Sequence, residues 1–568
     1  MRGLTCCNAF VRPLNANVIL CIWLAALASG QTTRAPNQVQ RTTSSEEGIP
    51  VTDPLVLAKC GSCHARDERG NMQRISWERT TPEGWQGALK RMILQQRVSL
   101  TPEEARSIVK YLSDSHGLAP EEAKPIEYEA ERRAQEETSI PSDSLREACS
   151  KCHSFARSLS WRRTREDWKQ FVDSHSAHYN TRSGEEAVSF LADAAPLHTS
   201  AWDAWIAHTE KPNLAGRWLV SAYLPGRGSY YGEMQIDQDG DDYNTRVGLK
   251  SERDGSRVIR RGRSTVFGGD AWRGRSSGAE PATSPDDPLA DAREVLLVSP
   301  DRSAAEGRWF WGQYQEFGFE VKMRRALPDA ALIGVDGSAL KTGSSASRIR
   351  LSGHNFPPQI ASADLNFGPG VAVRRIVSNS SNEIVVELDV AAGAPLGKRD
   401  VSFRRSVLAD AMTIYDRVDY IQVMPDSAIA SFADATHPKG YRQFEAIGYQ
   451  RGPDGKLRTA DDLALGPIDV EWTVEKFHAA TAGSSDSIGA ISPLGLFTPA
   501  SGDFKTNFDV WVIATAKDEK DRNGALLVGK SYMVLTVPTY TFNGRKYVRD
   551  LDRWVDDGPA PARINRLQ

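Results

Sequence analysis

Two short strings of cysteine and histidine lie in the first third of this chain of 568 residues. Each string reads Cys-x-x-Cys-His, so two residues separate the thiols and an imidazole follows at once. This spacing is typical of a c-type haem attachment site, where the thiols add across the vinyl groups and the histidine ligates iron. A shuffled chain with 7 Cys and 10 His would contain roughly 0.0015 such strings, so two copies are a specific signal. The residues are Cys60, Cys63 and His64 in the first copy, and Cys149, Cys152 and His153 in the second.

The remaining cysteines strengthen this prediction. Cys6, Cys7 and Cys21 lie in an N-terminal segment with the character of a leader. All four cysteines of the mature chain would then belong to the two motifs, which leaves none for a disulfide framework. A zinc site of four cysteines is the alternative, because paired Cys-x-x-Cys motifs also bind zinc. The histidine directly after each pair favours haem.

Residues 1–30 have the pattern of a secretory signal peptide. Arg2 and Arg12 supply positive charge, an apolar run follows at 18–28, and small residues at 28–30 offer a cleavage site. The apolar run is shorter than a comfortable transmembrane span, although an uncleaved anchor is the alternative. Covalent haem attachment takes place outside the bacterial inner membrane. We therefore expect a periplasmic protein with no membrane span after leader cleavage.

Length and composition indicate several domains of mixed class. The near balance of 70 basic and 73 acidic residues argues against a nucleic-acid-binding protein. Helical patterns dominate the first third, and short aromatic and β-branched runs broken by Gly, Asp and Asn follow, which is typical of antiparallel β structure. We predict a multidomain α + β chain: a flexible arm at 31–52, an all-α dihaem cytochrome c domain at 53–210, an antiparallel β-barrel-like domain at 211–326, an immunoglobulin-like β-sandwich at 327–416 and a second, C-terminal β-sandwich domain of that kind at 417–568.

Some local elements can be placed directly. Thr101, Pro102 and Glu104 have the types and spacing of a helix start, and His116 with its following glycine would end that helix. The Trp-rich strand around Trp309 is expected in a barrel core. The Gly/Ser/Pro-rich stretch 274–288 is expected to be a loop.

Each of the two motifs is followed by a segment of similar sequence. In each, a Ser-Trp pair is followed by a Thr that can cap a helix and by a Trp four residues after that Thr. Seven residues beyond this Trp, on the same helix face, lie Met92 in the first copy and His175 in the second. Methionine and histidine are the usual distal ligands of six-coordinate c-type haem. We therefore predict Met92 opposite His64 and His175 opposite His153. The alternatives are Met72 for the first haem, and His178, His198 or His208 for the second.

Both predicted haems would carry ligands on both sides of the iron. A site closed in this way fits electron transfer better than oxygen or peroxide chemistry. The thioether of Met92 favours ferrous iron, so the His/Met haem is expected to have the higher potential, other things being equal. The plainer interpretation of the same residues is that Met92 is a core side chain and His175 a solvated one.

The order of these features resembles the large α subunit of quinohaemoprotein amine dehydrogenase. The resemblance covers essentially the whole mature chain: a leader, the two motifs with their Ser-Trp and Thr-x-x-x-Trp echoes, a barrel-like domain opening at Gly216-Arg217-Trp218, and two sandwich-like domains. The two haem motifs alone are not specific to that family. The combined order carries the resemblance.

The resemblance implies a periplasmic heterotrimer that oxidises primary amines to aldehyde and ammonia. This chain would be its haem subunit, with two haems c and no catalytic residue of its own. Cysteine tryptophylquinone would lie on a small γ subunit, and a β-propeller subunit would complete the assembly. Electrons would pass from the quinone through the haems to a soluble cytochrome or cupredoxin.

The residues alone support a narrower function, an exported dihaem electron carrier. Two other classes stay open on that basis. The chain could serve a different periplasmic dehydrogenase, or its sandwich domains could bind a partner or carbohydrate with accessory haems. A dihaem peroxidase is disfavoured, because its active haem needs an open or releasable distal site.

Overall fold

The computed structural model describes most of the chain after the predicted leader. The described residues are 47–126, 140–150, 153–179, 184–207, 212–435, 437–477, 488–537, 541–542, 545–548 and 553–556. The leader and residues 31–46 of the predicted arm lie outside them. Residues 47–52 differ from the predicted arm, because they are packed into the fold: Val51 is fully buried, and the backbone N–H of Ile49 donates to the carbonyl of Ser76.

The N-terminal part is helical, as predicted, and among its described residues has two main hydrophobic cores and two smaller clusters. The first lobe (described residues 47–126) packs around Trp85, and the second lobe (described residues within 140–207) packs around Trp168. Among the described residues, no helix combines the length and apolar character needed to cross a bilayer. The helices are α1 (Pro54–Cys60), α2 (Pro82–Gln96), α3 (Pro102–Ser115), α4 (Pro120–Ala123), α5 (Asp143–Cys149), α6 (Phe155–Leu159), α7 (Arg165–Tyr179), α8 (Glu185–Ala194) and α9 (Ser200–Ile206).

The helix starts follow the predicted capping chemistry. Thr101 and Glu104 form a reciprocal capping box on α3, and His116 is the C-terminal cap of that helix. The Thr81 hydroxyl accepts from the backbone N–H of Gly84 at the start of α2. These caps satisfy backbone N–H groups that have no partner inside the helix.

A short antiparallel pair of strands joins the two lobes through matching segments. β1 (Glu78–Thr80) precedes α2, and β2 (Trp161–Arg163) precedes α7 at the same place in the sequence repeat. Glu78 pairs with Arg163, and Thr80 pairs with Trp161. Each strand thus pairs with its equivalent in the sequence repeat. The lobes are therefore related by a local pseudo-two-fold axis at this strand pair, which we call the seam between them.

The next region is a closed antiparallel barrel of eight strands, with β10 pairing back to β3. Alternate side chains point inward, as the pleat requires. The interior is filled by aromatic and aliphatic side chains, including Trp218, Trp272 and the predicted core residue Trp309. The strands are β3 (Gly216–Leu224), β4 (Gly228–Asp239), β5 (Asp242–Ser251), β6 (Arg257–Phe267), β7 (Ala271–Gly278), β8 (Ala292–Val298), β9 (Ala304–Trp311) and β10 (Phe317–Arg325).

A second β region has two four-stranded sheets that share one hydrophobic core. One sheet has the order β11-β13-β16-β15 and the other β12-β18-β17-β14. Its immunoglobulin-like character stays a prediction. The strands are β11 (Ala331–Asp336), β12 (Ala339–Lys341), β13 (Ser347–His354), β14 (Leu365–Asn366), β15 (Val371–Asn379), β16 (Glu383–Val390), β17 (Gly397–Phe403) and β18 (Ser406–Tyr415).

The last β region gathers three sheets around another core. Their orders are β19-β22-β23, β20-β28-β27-β24 and β21-β26-β25, and β29, β30 and β31 form a further small sheet. The strands are β19 (Tyr420–Met424), β20 (Ser427–Ser431), β21 (Arg442–Gln443), β22 (Glu445–Gln450), β23 (Leu463–Pro467), β24 (Val470–Lys476), β25 (Gly489–Ile491), β26 (Leu496–Pro499), β27 (Phe508–Lys520), β28 (Leu526–Thr536), β29 (Thr541–Phe542), β30 (Arg545–Val548) and β31 (Arg553–Asp556).

Candidate functional site

The first motif lies at the end of a short helix. Asp53 caps the start of α1, and the helix ends at Cys60. The backbone N–H of His64 donates to the Cys60 carbonyl at 2.9 Å, so one turn of chain brings the motif residues together. Cys60 is half-buried and Cys63 is exposed, and neither forms a disulfide with another described cysteine. Burial raises the pKa of the Cys60 side chain, and the neighbouring Cys63 raises it further by a smaller amount.

The imidazole of His64 is held by its Nδ1 atom. This nitrogen lies 2.9 Å from the carbonyl oxygen of Gln73. A carbonyl only accepts hydrogen bonds, so Nδ1 is the donor and Nε2 is the nitrogen left to ligate iron. Histidines that ligate metals are commonly oriented by such a bond to a backbone carbonyl. The arrangement fits a proximal haem ligand.

The second motif repeats this arrangement. The Ser142 hydroxyl caps α5, which ends at Cys149. Burial raises the pKa of the half-buried Cys149 thiol to about 11. Nδ1 of His153 lies 2.8 Å from the carbonyl oxygen of Ser154, so the second histidine also donates from Nδ1 and leaves Nε2 to ligate iron. Cys152 lies outside the described residues.

The structure places the predicted distal ligand of the second haem close to its predicted proximal ligand. The ring centroids of His153 and His175 are 6.4 Å apart, with planes inclined at 74°. Metal–imidazole bonds are about 2.0 Å long and the ligating nitrogen is about 1 Å from the ring centre, so imidazoles on opposite sides of one iron have centroids roughly 6 Å apart. The observed spacing therefore fits a haem iron between the two rings.

Met92 lies on α2, half-buried, one turn before the end of the helix. Its carbonyl accepts from the backbone N–H groups of Arg97 and Val98, which fixes the backbone at this position. Among the described residues, no hydrogen bond or ring contact links Met92 to His64. Its role as the first distal ligand stays a prediction.

Exposed apolar side chains accompany both predicted distal ligands. Ile93 and Leu94 follow Met92 and are 37% and 68% exposed, and Phe171 is 39% exposed one turn before His175. The Phe171 and His175 rings are 5.7 Å apart. Exposed apolar side chains that form a contiguous patch can mark a surface that binds an apolar group. The face of a porphyrin is such a group.

The alternative ligands have other environments. Met72 is fully buried in the hydrophobic core of the first lobe. Nε2 of His198 lies 2.6 Å from the carbonyl of Glu47, and its ring packs on Trp202. His208 and the side chain of His178 lie outside the described residues. The two alternatives within the described residues, Met72 and His198, are thus engaged in core packing or in a hydrogen bond.

The tryptophans of the repeat support each lobe in the same way. The indole N–H of Trp85 donates to the carbonyl of His116 at 3.0 Å, and that of Trp168 donates to the carbonyl of Ala195 at 2.9 Å. Both rings are buried. Each indole anchors the helix that carries a predicted distal ligand, α2 or α7, to a neighbouring chain segment.

A buried ionic cluster at the seam between the lobes was not apparent from the sequence. Arg79 of β1 donates two hydrogen bonds to the carboxylate of Glu122, at 2.8 and 2.9 Å. Arg162, paired with Arg79 across the two strands, lies 3.4 Å from the same carboxylate. Thr199 donates to it as well. The two arginines hold equivalent positions in the repeat, and that equivalence is the one signal that could have pointed to them.

Both helical lobes are also bound to the barrel through carboxylates that are buried or largely buried. Glu83, in the first turn of α2, is 2.8 Å from Arg273 of β7 and 2.6 Å from Arg293 of β8. Burial raises the pKa of Glu83, but the two guanidinium groups outweigh it and lower the pKa to about 2. Asp270 accepts from the indole N–H of Trp205, and burial raises its pKa to about 7. These contacts position the helical lobes on the barrel wall.

Fold and site together define a haem-binding protein in which helical lobes precede a barrel and further β domains. Family descriptions match almost all of this architecture: the haem-binding part of the quinohemoprotein amine dehydrogenase alpha subunit matches residues 51–189, and its domains II, III and IV match 211–326, 329–416 and 421–546. The chain belongs to the quinohemoprotein amine dehydrogenase alpha subunit family. The resemblance inferred from the motifs is confirmed.

Comparisons with individual proteins add little to this assignment. No protein with a curated description matches the chain. A redesigned β-barrel is 12% identical over 20% of this chain and 92% of its own, with a TM-score of 0.17. A de novo fluorescence-activating β-barrel is 18% identical over 20% of this chain and 93% of its own, with a TM-score of 0.16. A tandem of titin domains is 9% identical over 54% of this chain and 98% of its own, with a TM-score of 0.12.

Proposed function

We propose that this chain is the dihaem electron-transfer subunit of a periplasmic amine dehydrogenase. The first haem c would be held by Cys60 and Cys63 and the second by Cys149 and Cys152, each through two thioethers. The observation that supports this most is the spacing of the His153 and His175 rings in the second lobe, whose centroids are 6.4 Å apart, a distance that suits one iron between them. A bound haem c supplies reversible one-electron storage on its iron.

The protein's own groups would fix the ligands and close the iron sites. The carbonyls of Gln73 and Ser154 hold the proximal imidazoles of His64 and His153 in one tautomer. Met92 and His175 would occupy the distal positions. Because both sides of each iron would then be filled, oxygen and peroxide would have no open position.

The remaining steps would lie on other chains. Primary amines would be oxidised to aldehyde and ammonia at a cysteine tryptophylquinone on a small γ subunit. With residues 1–30 removed as a leader, the chain would have no cysteine outside its two haem motifs, so such a quinone could not form here without loss of a thioether. A β-propeller subunit would complete a heterotrimer, and a soluble cytochrome or cupredoxin would accept the electrons.

Amine-driven reduction of the haems tests this function. The isolated holo chain and the assembled enzyme are each mixed anaerobically with a primary amine, and the haem spectrum is followed. We expect reduction only in the assembled enzyme, although dithionite should reduce both samples. If the partner chains add no amine-dependent reduction, the better account is a dihaem carrier for a different periplasmic dehydrogenase.

A further inference from the structure

A row of arginines crosses the outer face of the barrel on strands β5 to β8. Arg246 of β5 lies directly opposite Arg261 of β6. Arg275 of β7 lies between Arg263 of β6 and Arg293 of β8. We call these five residues the arginine ladder. Like charges directly opposite one another on a sheet are destabilising, so a ladder of this kind needs a compensating role or partner.

Only part of the ladder is neutralised within the described part of the chain. Arg263 pairs with Asp242 at 2.7 Å, and Arg293 pairs with Glu83. The other three arginines are exposed, and no described carboxylate lies within ion-pair distance of them; they are Arg246, Arg261 and Arg275. The whole chain has a formal net charge of −3, so the positive character is local to this face.

The surface beside the ladder has the features of a docking site. A cleft of about 360 Å³ is lined by Arg275, Arg293, Phe310 and Gln315, with Asp291 as the acidic residue on its wall. Ile259, 46% exposed, lies on β6 beside Arg261. Arginine and aromatic side chains are enriched at protein interfaces. The face thus combines unpaired positive charge with a recess that can receive a partner's side chain.

We propose that the arginine ladder docks an acidic surface of the soluble electron acceptor. This inference rests on the proposed function, which requires such an acceptor. Permanent subunit interfaces are large and apolar, whereas this face is charged and exposes only Ile259 as a large apolar residue among its described strands. A small charged face suits a transient partner, which charge attraction steers and salt weakens.

The position of the ladder suits this role. Glu83 connects Arg293 to α2, the helix that carries Met92. Met92 lies nine positions after Glu83, which is about 14 Å along a helix axis. An acceptor on the ladder would therefore border the first lobe beside the helix that supplies its predicted distal ligand.

The test measures electron transfer without amine. The protein as purified from its host is reduced with dithionite, freed of excess reductant and mixed in a stopped-flow instrument with an oxidised acidic cupredoxin of the plastocyanin type. The variant combines Arg246→Gln, Arg261→Gln and Arg275→Gln. The matched control removes three exposed charges outside the barrel: Arg405→Gln, Arg522→Gln and Lys530→Gln. A basic cytochrome c of the mitochondrial type is the second acceptor.

At low salt we expect the ladder variant to reduce the acidic cupredoxin about tenfold more slowly than the control variant does, within the range that charge steering produces. The difference should vanish near 1 M salt, where the screening length falls to about 3 Å. The basic cytochrome should not be slowed. Equal rates in the two variants would overturn the proposal, and so would loss of a co-purifying subunit from the ladder variant. Failure of the amine chemistry would not alter this assay, because dithionite replaces the amine.

Discussion

Removing the charge of Glu122 should strongly destabilise the helical lobes. Its carboxylate lies at the seam between them and accepts from Arg79, Thr199 and the backbone N–H of Ala119, at distances between 2.8 and 3.0 Å. Arg79 and Arg162 are both buried. The change Glu122→Gln preserves the size of the side chain but leaves two buried guanidinium groups without a counter-charge.

The size of the effect follows from this geometry. Breaking a buried ion pair by removing one partner destabilises a protein by about 3–5 kcal/mol. In a domain of this size each kcal/mol lowers the unfolding midpoint by about 2–4 °C, so the helical lobes should unfold roughly 6–20 °C lower.

The effect should also depend on pH. Burial raises the pKa of Glu122, but the hydrogen bonds and charges of Arg79 and Arg162 outweigh it, so its pKa lies below the usual value. A depressed carboxyl pKa gives stability that is present above the unfolded-state pKa and is lost as pH falls through the folded-state pKa. The acid limb of the stability curve should therefore be flatter in Glu122→Gln than in the wild type.

Thermal unfolding followed at the haem absorbance isolates the helical lobes, because a chain with several domains has no single midpoint. Glu121→Gln is the matched control, since Glu121 is the exposed neighbour of Glu122 on the same helix. If both variants unfold at the wild-type temperature, the buried cluster does not stabilise the seam and the reasoning is wrong.

Three further changes test the ligands and a buried imidazole. Met92→Ala should abolish the sulfur-to-iron charge-transfer band of the ferric spectrum and lower the potential of one haem; an unchanged spectrum would favour Met72. His175→Ala should leave that band intact and allow carbon monoxide to bind the other, ferrous haem, and absence of binding would contradict the assignment. Burial lowers the pKa of His116 to about 4, so its stabilising contribution is complete above about pH 6.5 and is lost as pH falls towards 4. Urea midpoints should therefore fall less between pH 7 and 4.5 in His116→Gln than in the wild type, and equal pH dependence would refute this.

The parts of the site predicted from the sequence depend on local chemistry. The Cys-x-x-Cys-His pattern can be recognised without knowledge of the tertiary structure. The helix caps at Thr81 and Thr101 form hydrogen bonds within a few residues along the chain. The sequence repeat led to the prediction of His175 as a distal ligand, because two halves of related sequence place equivalent residues on equivalent helix faces. The order of helical region, barrel and β domains was predictable from changes in periodicity, and it is confirmed.

The parts that were missed depend on contacts between distant segments. Glu122 meets Arg79 and Arg162 only because the two lobes fold onto each other, and no local pattern marks it as buried. Residues 47–52 look like a polar arm in sequence, but Val51 fills the core of the first lobe. Side chains from elsewhere in the fold decide both cases.

The prediction of a loop at 274–288 was wrong for its first residues, because strand β7 continues to Gly278. The packing around residue 274 leaves no room for a side chain, which explains the glycine there. A Cβ atom at this position would lie 2.0 Å from the Ser264 hydroxyl and 2.8 Å from the Glu294 carboxylate inside the barrel. Glycine in a strand can thus mark a close approach of neighbouring side chains rather than a turn.

Each lobe is proposed to bind one covalent haem through its own motif. Intact mass spectrometry of the holo protein from its native host tests this most directly, with the double variant Cys149→Ala, Cys152→Ala measured beside it. We predict two haem additions in the wild type and one in the variant, with the remaining haem on the peptide that contains Cys60 and Cys63. Two haems in the variant, or none in the wild type, would contradict the account.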